Sequence, residues 1–131
     1  MKINSQKYHD LPWRAKEICE NGGLLTGGIV AYLLDEVDDY KDIDIIVPVR
    51  FWNDISLPTN DNIEINYYNG LRFKEDAISY DVWPGDVFEY LQTASKKGSK
   101  IRVYDVNRSK LIEVLPVTPP KEIYDEDEIP F

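Results

Sequence analysis

Asp42 and Asp44, one residue apart inside the β-branched run Asp-Ile-Asp-Ile-Ile-Val47, are the residues of this chain best suited to chemistry. On a strand both side chains point to one face, about 7 Å apart, because the side-chain period is two. Two carboxylates placed so converge on one hard cation. Mg²⁺ prefers oxygen ligands and is commonly held by one or two carboxylates together with substrate phosphates. A third carboxylate, Asp81 on a neighbouring strand, completes a set able to clamp the attacking and leaving oxygens of an in-line displacement through two metal ions. Upstream, Thr26-Gly27-Gly28 reads as a tight turn opening a helix. Its free backbone N–H groups suit a triphosphate, and glycine lets phosphate approach the chain closely. Arg72, Lys41 and Lys74 are cations able to reach phosphates, although each also has the plainer role of surface charge.

The elements that must position these groups follow from local pattern. A helix is expected over 10–21, capped by Asp10, with Pro12 in its first turn and Gly22-Gly23 as its stop. Leu24-Leu25 predicts a strand of two or three residues, and Ile29, Val30, Leu33 and Leu34 predict a helix over 28–36. After a charged loop, 42–47 is the best strand in the chain, closed by Pro48. A short helix over 50–56 leads to strands at 63–68 and 71–74, joined through a turn at Asn69-Gly70. In the next strand, 77–83, Ile78, Tyr80 and Val82 share one face, and Ser79, Asp81 and Trp83 share the other. Residues 85–94 read as a helix capped by Asp86. Residues 101–106 and 110–117 read as a closing hairpin that turns at 107–109.

The segments Leu-Leu-Thr-Gly-Gly-Ile-Val-Ala-Tyr-Leu-Leu34 and Lys-Asp-Ile-Asp-Ile-Ile-Val47 together resemble the core motif of the nucleotidyltransferase superfamily. The branch most similar holds tRNA CCA-adding enzymes and bacterial poly(A) polymerases. In that branch a Gly-Gly turn and helix lead to an Asp-x-Asp strand, which Thr26–Gly28 and Lys41–Asp44 match. Asn69-Gly-Leu-Arg-Phe73 and Ile78-Ser-Tyr-Asp-Val-Trp83 resemble later strands of small relatives, in which the third Asp precedes an apolar-Trp pair. The likeness spans roughly residues 20–95. It implies a nucleotidyltransferase-like mixed sheet flanked by helices, an α/β (α+β) fold. It also implies Asp42, Asp44 and Asp81 as catalytic and metal-binding residues, Mg²⁺ or Mn²⁺ as cofactor and a nucleoside triphosphate as substrate. Thr26, Gly27, Gly28 and Arg72 would contact the nucleotide. The chain departs from the branch at Ala31-Tyr32, where an Arg-Asp pair is usual, and it lacks the helical domains that select base and tRNA. A role in tRNA maturation is therefore not expected.

Charge separates body from tail. The net charge is −9; residues 121–131 carry five acids and one base, while the other 120 carry 19 acids and 14 bases. An acidic body is poorly suited to broad duplex DNA binding, which needs basic surface to displace counterions. Pro116, Pro119 and Pro120 mark a change of character, so a domain over 1–117 and a flexible acidic tail over 118–131 are expected. The last residues, Asp125-Glu126-Asp127-Glu128-Ile129-Pro130-Phe131, resemble the acidic tip of bacterial single-stranded DNA-binding proteins. The likeness implies binding to the replication, recombination and repair proteins that recognise that tip. Phe131 offers a ring and a carboxylate, Pro130 restricts the backbone, and the acids suit a basic ridge. A phage or mobile-element protein exploiting host machinery would suit such a design.

Cys19 is the single cysteine and the only histidine, His9, lies near the N-terminus, so neither a disulfide framework nor a Cys–His nucleophile is expected. With no apolar run near the ~20 residues of a membrane span and no signal peptide expected, the cytoplasm is the expected compartment. Two functions follow as expectations. One is metal-dependent nucleotidyl transfer to an acceptor, recruited by the tail. The other is a catalytically inactive adaptor or inhibitor on the same scaffold, with an antitoxin-like module as a third possibility.

Overall fold

The computed structural model describes residues 2–59, 62–66, 69–96, 98 and 100–115. Seven strands form one mixed sheet in the order β3-β4-β5-β2-β1-β6-β7. They are β1 Leu24–Thr26, β2 Asp42–Val47, β3 Glu64–Ile65, β4 Leu71–Glu75, β5 Ile78–Pro84, β6 Ile101–Asp105 and β7 Lys110–Val114. Every neighbouring pair is antiparallel except β2 and β5 at the centre, which run parallel. Among the described residues four helices flank the sheet: α1 Ser5–His9, α2 Trp13–Glu20, α3 Gly28–Leu33 and α4 Val87–Lys96. A 3-10 turn over Val49–Asp54 follows β2. The expected α/β fold, a mixed sheet flanked by helices, is the fold observed.

Burial explains the two layers. Ile43, Ile45, Phe73, Tyr80 and Val82 point to one face and pack with Ala15, Ile18 and Cys19 of α2 and Ile29, Val30 and Leu33 of α3. On the other face Leu24, Ile46, Trp83 and Val103 pack against Leu91 of α4. That second layer covers only part of its face, because among the described residues α4 is the one helix with a core residue there. Leu24 pairs with Ile46, and Ile46 with Trp83, so these apolar side chains form one row across three strands.

Several boundaries differ from expectation, each for a local reason. The helix expected over 10–21 is α2, shortened to Trp13–Glu20, and a separate helix, α1, precedes it. The Asn4 side chain accepts from the N–H groups of Gln6 and Lys7 and starts α1, which the sequence reading passed over. Asp10 therefore closes α1 rather than capping α2, and Pro12 stands at the start of α2. One turn of helix carries no apolar stripe; α1 is held by Tyr8, which packs against the main core and the Tyr104 ring, and by Lys7, whose ammonium donates to the Tyr32 carbonyl and pairs with Asp35. α3 stops at Leu33, and Asp35 lies in the left-handed region at φ 60°. The strand expected over 63–68 is described only as Glu64–Ile65, with Tyr67 and Tyr68 outside the described residues. At the turn it is Asn69, at φ 57°, that takes the left-handed backbone. Gly70 lies against the Val82 carbonyl and Trp83, where a side chain has no room. Asp86 accepts from the Glu89 N–H and starts α4 as expected. The tail over 118–131 lies outside the described residues. Among the described residues no helix is long and apolar enough to cross a membrane.

Candidate functional site

β2 owes its position to a run of Ile and Val bounded by Lys41 and Pro48, which fixes which face each side chain takes. Its odd-numbered residues enter the main core, so Asp42 and Asp44 are left on the partly covered face. The register with neighbouring strands then builds the site. Thr26 of β1 pairs with Asp44, Asp44 with Asp81 of β5, Asp81 with Arg72 of β4, and Arg72 with Glu64 of β3. Directly paired residues share a face, so Thr26, Asp44, Asp81, Arg72 and Glu64 form one polar row across five strands, with neighbours about 5 Å apart. Asp42 lies one step along β2, opposite Ser79, and Ser79 pairs with Lys74. The polar row runs beside the apolar row Leu24–Ile46–Trp83, where the cover of α4 ends.

A cavity of about 490 Å³ opens over this row. Thr26, Gly27, Asp42, Asp44, Arg72 and Asp81 line it, with Glu64 and Asn66 on one side and Trp83 and Tyr90 on the other. The rings of Trp83 and Tyr90 meet at 5.8 Å between centroids and form its aromatic wall. A second, shallower groove of about 460 Å³ is lined by Gly28, Ala31, Val37, Tyr40 and Lys41, and shares Asp42 and Asp44 with the cavity.

The two glycines do different work. Gly27 has φ 79°, which an L side chain rarely adopts, and a Cβ there would lie 2.8 Å from Asp44 Oδ2. It is therefore glycine so that the turn can press against the carboxylate. Gly28 opens α3, and a Cβ there would meet nothing within 4 Å. The structure itself leaves that space open. Thr26 is buried, and its hydroxyl donates to the Arg102 carbonyl at 3.2 Å, which leaves only lone pairs for the cavity.

The electrostatics centre on Asp44. Burial pushes its carboxyl up from 3.8 to about 6, the nearby Asp81 and Asp42 charges push the same way, and Arg72 opposes them. Arg72 forms an ion pair with Asp81 at 3.5 Å. Four acids and one base thus line one cavity. Among the described residues no three His, Cys, Asp or Glu side chains converge as a ready three-ligand metal site. Magnesium does not require one, because two carboxylates and substrate phosphates suffice. The donors are hard oxygens, and four carboxylates share the cavity with one arginine. On both counts the residues present fit a divalent cation.

The structure thus brings Thr26, Gly27, Asp42, Asp44, Asp81 and Arg72 to one cavity and puts Gly28 at the mouth of the adjoining groove. Lys41 lines that groove, and Lys74 stands on β4 in the row of Asp42. Asp125, Glu126, Asp127, Glu128, Ile129, Pro130 and Phe131 lie outside the described residues. Sequence reasoning missed Glu64, Asn66 and Tyr90 as lining residues. For Glu64 the signal is its alternation with Ile63 and Ile65, which becomes meaningful only once its pairing with Arg72 is known. No protein-family model matches the chain, and no curated protein or solved structure matches it.

Proposed function

We propose that this protein is a metal-dependent nucleotidyltransferase-like enzyme that moves a nucleotidyl group from a nucleoside triphosphate to an acceptor hydroxyl. The observation that carries the reading is the register of Asp44 against Asp81, with Asp42 on the same face and Gly27 pressed against Asp44. Asp42 and Asp44, with Asp81 beside them, would hold Mg²⁺ or Mn²⁺. The cation, when bound, neutralises phosphate charge and polarises the α-phosphorus. Asp81 receives the proton of the acceptor hydroxyl, the hydroxyl oxygen bonds to the α-phosphorus, and pyrophosphate leaves. Arg72 and the turn at Gly27-Gly28 hold the phosphate chain.

The tail supplies the address in this reading. Residues Asp125–Phe131 resemble the tip of bacterial single-stranded DNA-binding proteins, and would recruit the enzyme to proteins that bind that tip. Deleting Phe131 should abolish capture of such partners while leaving the cavity untouched; capture that survives the deletion removes the tail from the account.

A second reading, an inactive adaptor or inhibitor on this scaffold, is favoured by Ala31-Tyr32, where the similar branch carries an Arg-Asp pair. Label transfer separates the two. The protein is incubated with each α-labelled triphosphate, Mn²⁺ or Mg²⁺ and bacterial extract, beside an Asp42→Ala/Asp44→Ala double variant. Label entering a macromolecule only with the wild type supports the enzyme. No transfer from any triphosphate by a folded wild type leaves the adaptor.

A further inference from the structure

Two of the arginines that form ion pairs with carboxylates on this sheet, Arg14 and Arg72, differ sharply. Arg14 of α2 clamps Glu75 with both prongs, at 3.0 and 2.9 Å, and its side chain is 12% exposed. That geometry is a fixed fork-to-fork lock. Arg72 touches Asp81 at 3.5 Å through one nitrogen, and its side chain is 52% exposed. Charge-assisted bonds of full strength run at about 2.7–2.9 Å, so this contact is loose. Arg72 also stands between two acids, with Asp81 opposite it on β5 and Glu64 opposite it on β3. It is the one base among the described residues lining a cavity that holds four carboxylates.

We propose that Arg72 is a displaceable counter-ion that occupies the place of a divalent cation at Asp81 and moves to the phosphate chain when metal and nucleotide enter together. The inference rests on the reading of the cavity as a metal–triphosphate site and adds a coupling to it. Without ligand, the guanidinium screens Asp81 and so competes with the metal. With a triphosphate present, the same guanidinium finds a better acceptor, Asp81 is freed, and the metal gains a carboxylate. Metal and triphosphate therefore favour each other's binding, and by linkage the effect is reciprocal. Glu64 is the relay: it attracts Arg72 from the opposite side and lowers the cost of leaving Asp81.

The test uses Mn²⁺ alone and inorganic triphosphate, so no base needs to be known. Metal affinity is measured by calorimetry for the wild type, Arg72→Gln and, as a control remote from the cavity, Arg14→Gln. Triphosphate affinity is then measured at fixed free Mn²⁺. Arg72→Gln should bind Mn²⁺ alone roughly threefold to tenfold more tightly than the wild type, and bind triphosphate more weakly by a similar factor. Arg14→Gln should change neither. Arg72→Lys, which keeps the charge and loses the fork, should lie between. Unchanged or weaker Mn²⁺ binding by folded Arg72→Gln overturns the counter-ion role while leaving the metal site standing. Failure of both wild type and Arg72→Gln to bind Mn²⁺ at millimolar concentration overturns the metal site itself, and this inference with it.

Discussion

The two faces of the central strand β2 are built from alternate residues of one hexapeptide, yet they obey opposite rules. Ile43, Ile45 and Val47 are sealed beneath α2 and α3. On the other face Ile46 is sealed beneath α4, while Asp44 and Asp42 emerge where that cover ends. The closed face satisfies every requirement of stability: apolar, dry and densely contacted. The open side brings Asp42, Asp44, Asp81 and Glu64 into one cavity with a single arginine, an arrangement that self-repulsion disfavours. A fold that places three central carboxylates side by side sacrifices stability there, as functional sites commonly do.

Substitutions on the two faces should therefore separate stability from activity. The largest expected effect is on the open face. Asp44→Asn should lower nucleotidyl transfer by roughly 10³-fold, the equivalent of several kcal/mol of lost charge stabilisation, while melting no lower than the wild type. A variant that melts lower would mean that Asp44 supports the fold. On the closed face, Ile45→Ala empties a fully buried site and should cost about 2–5 kcal/mol of unfolding free energy. Activity per folded molecule should survive. Chemical denaturation and turnover measured on the same samples check both.

The glycines sharpen the contrast by one residue. Gly27→Ala sets a side chain on a left-handed backbone and against Asp44, so it should cost on the order of 1–2 kcal/mol and also impair activity. Gly28→Ala meets open space and should leave the melting temperature unchanged or slightly higher. It should still weaken triphosphate binding if phosphate approaches the helix start. Equal triphosphate affinity for Gly28→Ala and the wild type would move the phosphates away from that turn.

The smallest effect is one of pH, read without divalent metal. Because folding raises the Asp44 carboxyl from 3.8 to about 6, the folded state holds that proton more tightly than the unfolded chain. Its penalty is absent below about pH 4, grows as pH rises towards 6 and is complete above it. The advantage of Asp44→Asn in melting temperature should therefore vanish near pH 4 and widen to a plateau above pH 6. A gap that is constant with pH would place its origin elsewhere.

Local pattern made much of the frame legible. β2 matches its expected span from Asp42 to Val47, because a β-branched run between a charged loop and Pro48 leaves little choice. β5 shows the expected alternation, with Tyr80 and Val82 buried and Asp81 in the cavity. α1 escaped because its support is tertiary, through Lys7 and Asn4 reaching to Tyr32 and Asp35. The site was legible as a set of carboxylates but not as a row. The meeting of Asp44 with Asp81, and of Arg72 with Glu64, is decided by strand order and register, which no local spacing encodes.

The lone parallel pairing at the centre of the sheet also sets a timetable. The β4–β5 and β6–β7 hairpins close short loops and can form early. β2 and β5 can pair only after the whole intervening chain has folded back on itself, a slower search. Asp44 and Asp81 lie on either side of that seam. The acidic centre is therefore a non-local feature of the sheet: its carboxylates meet only when β2 and β5 pair.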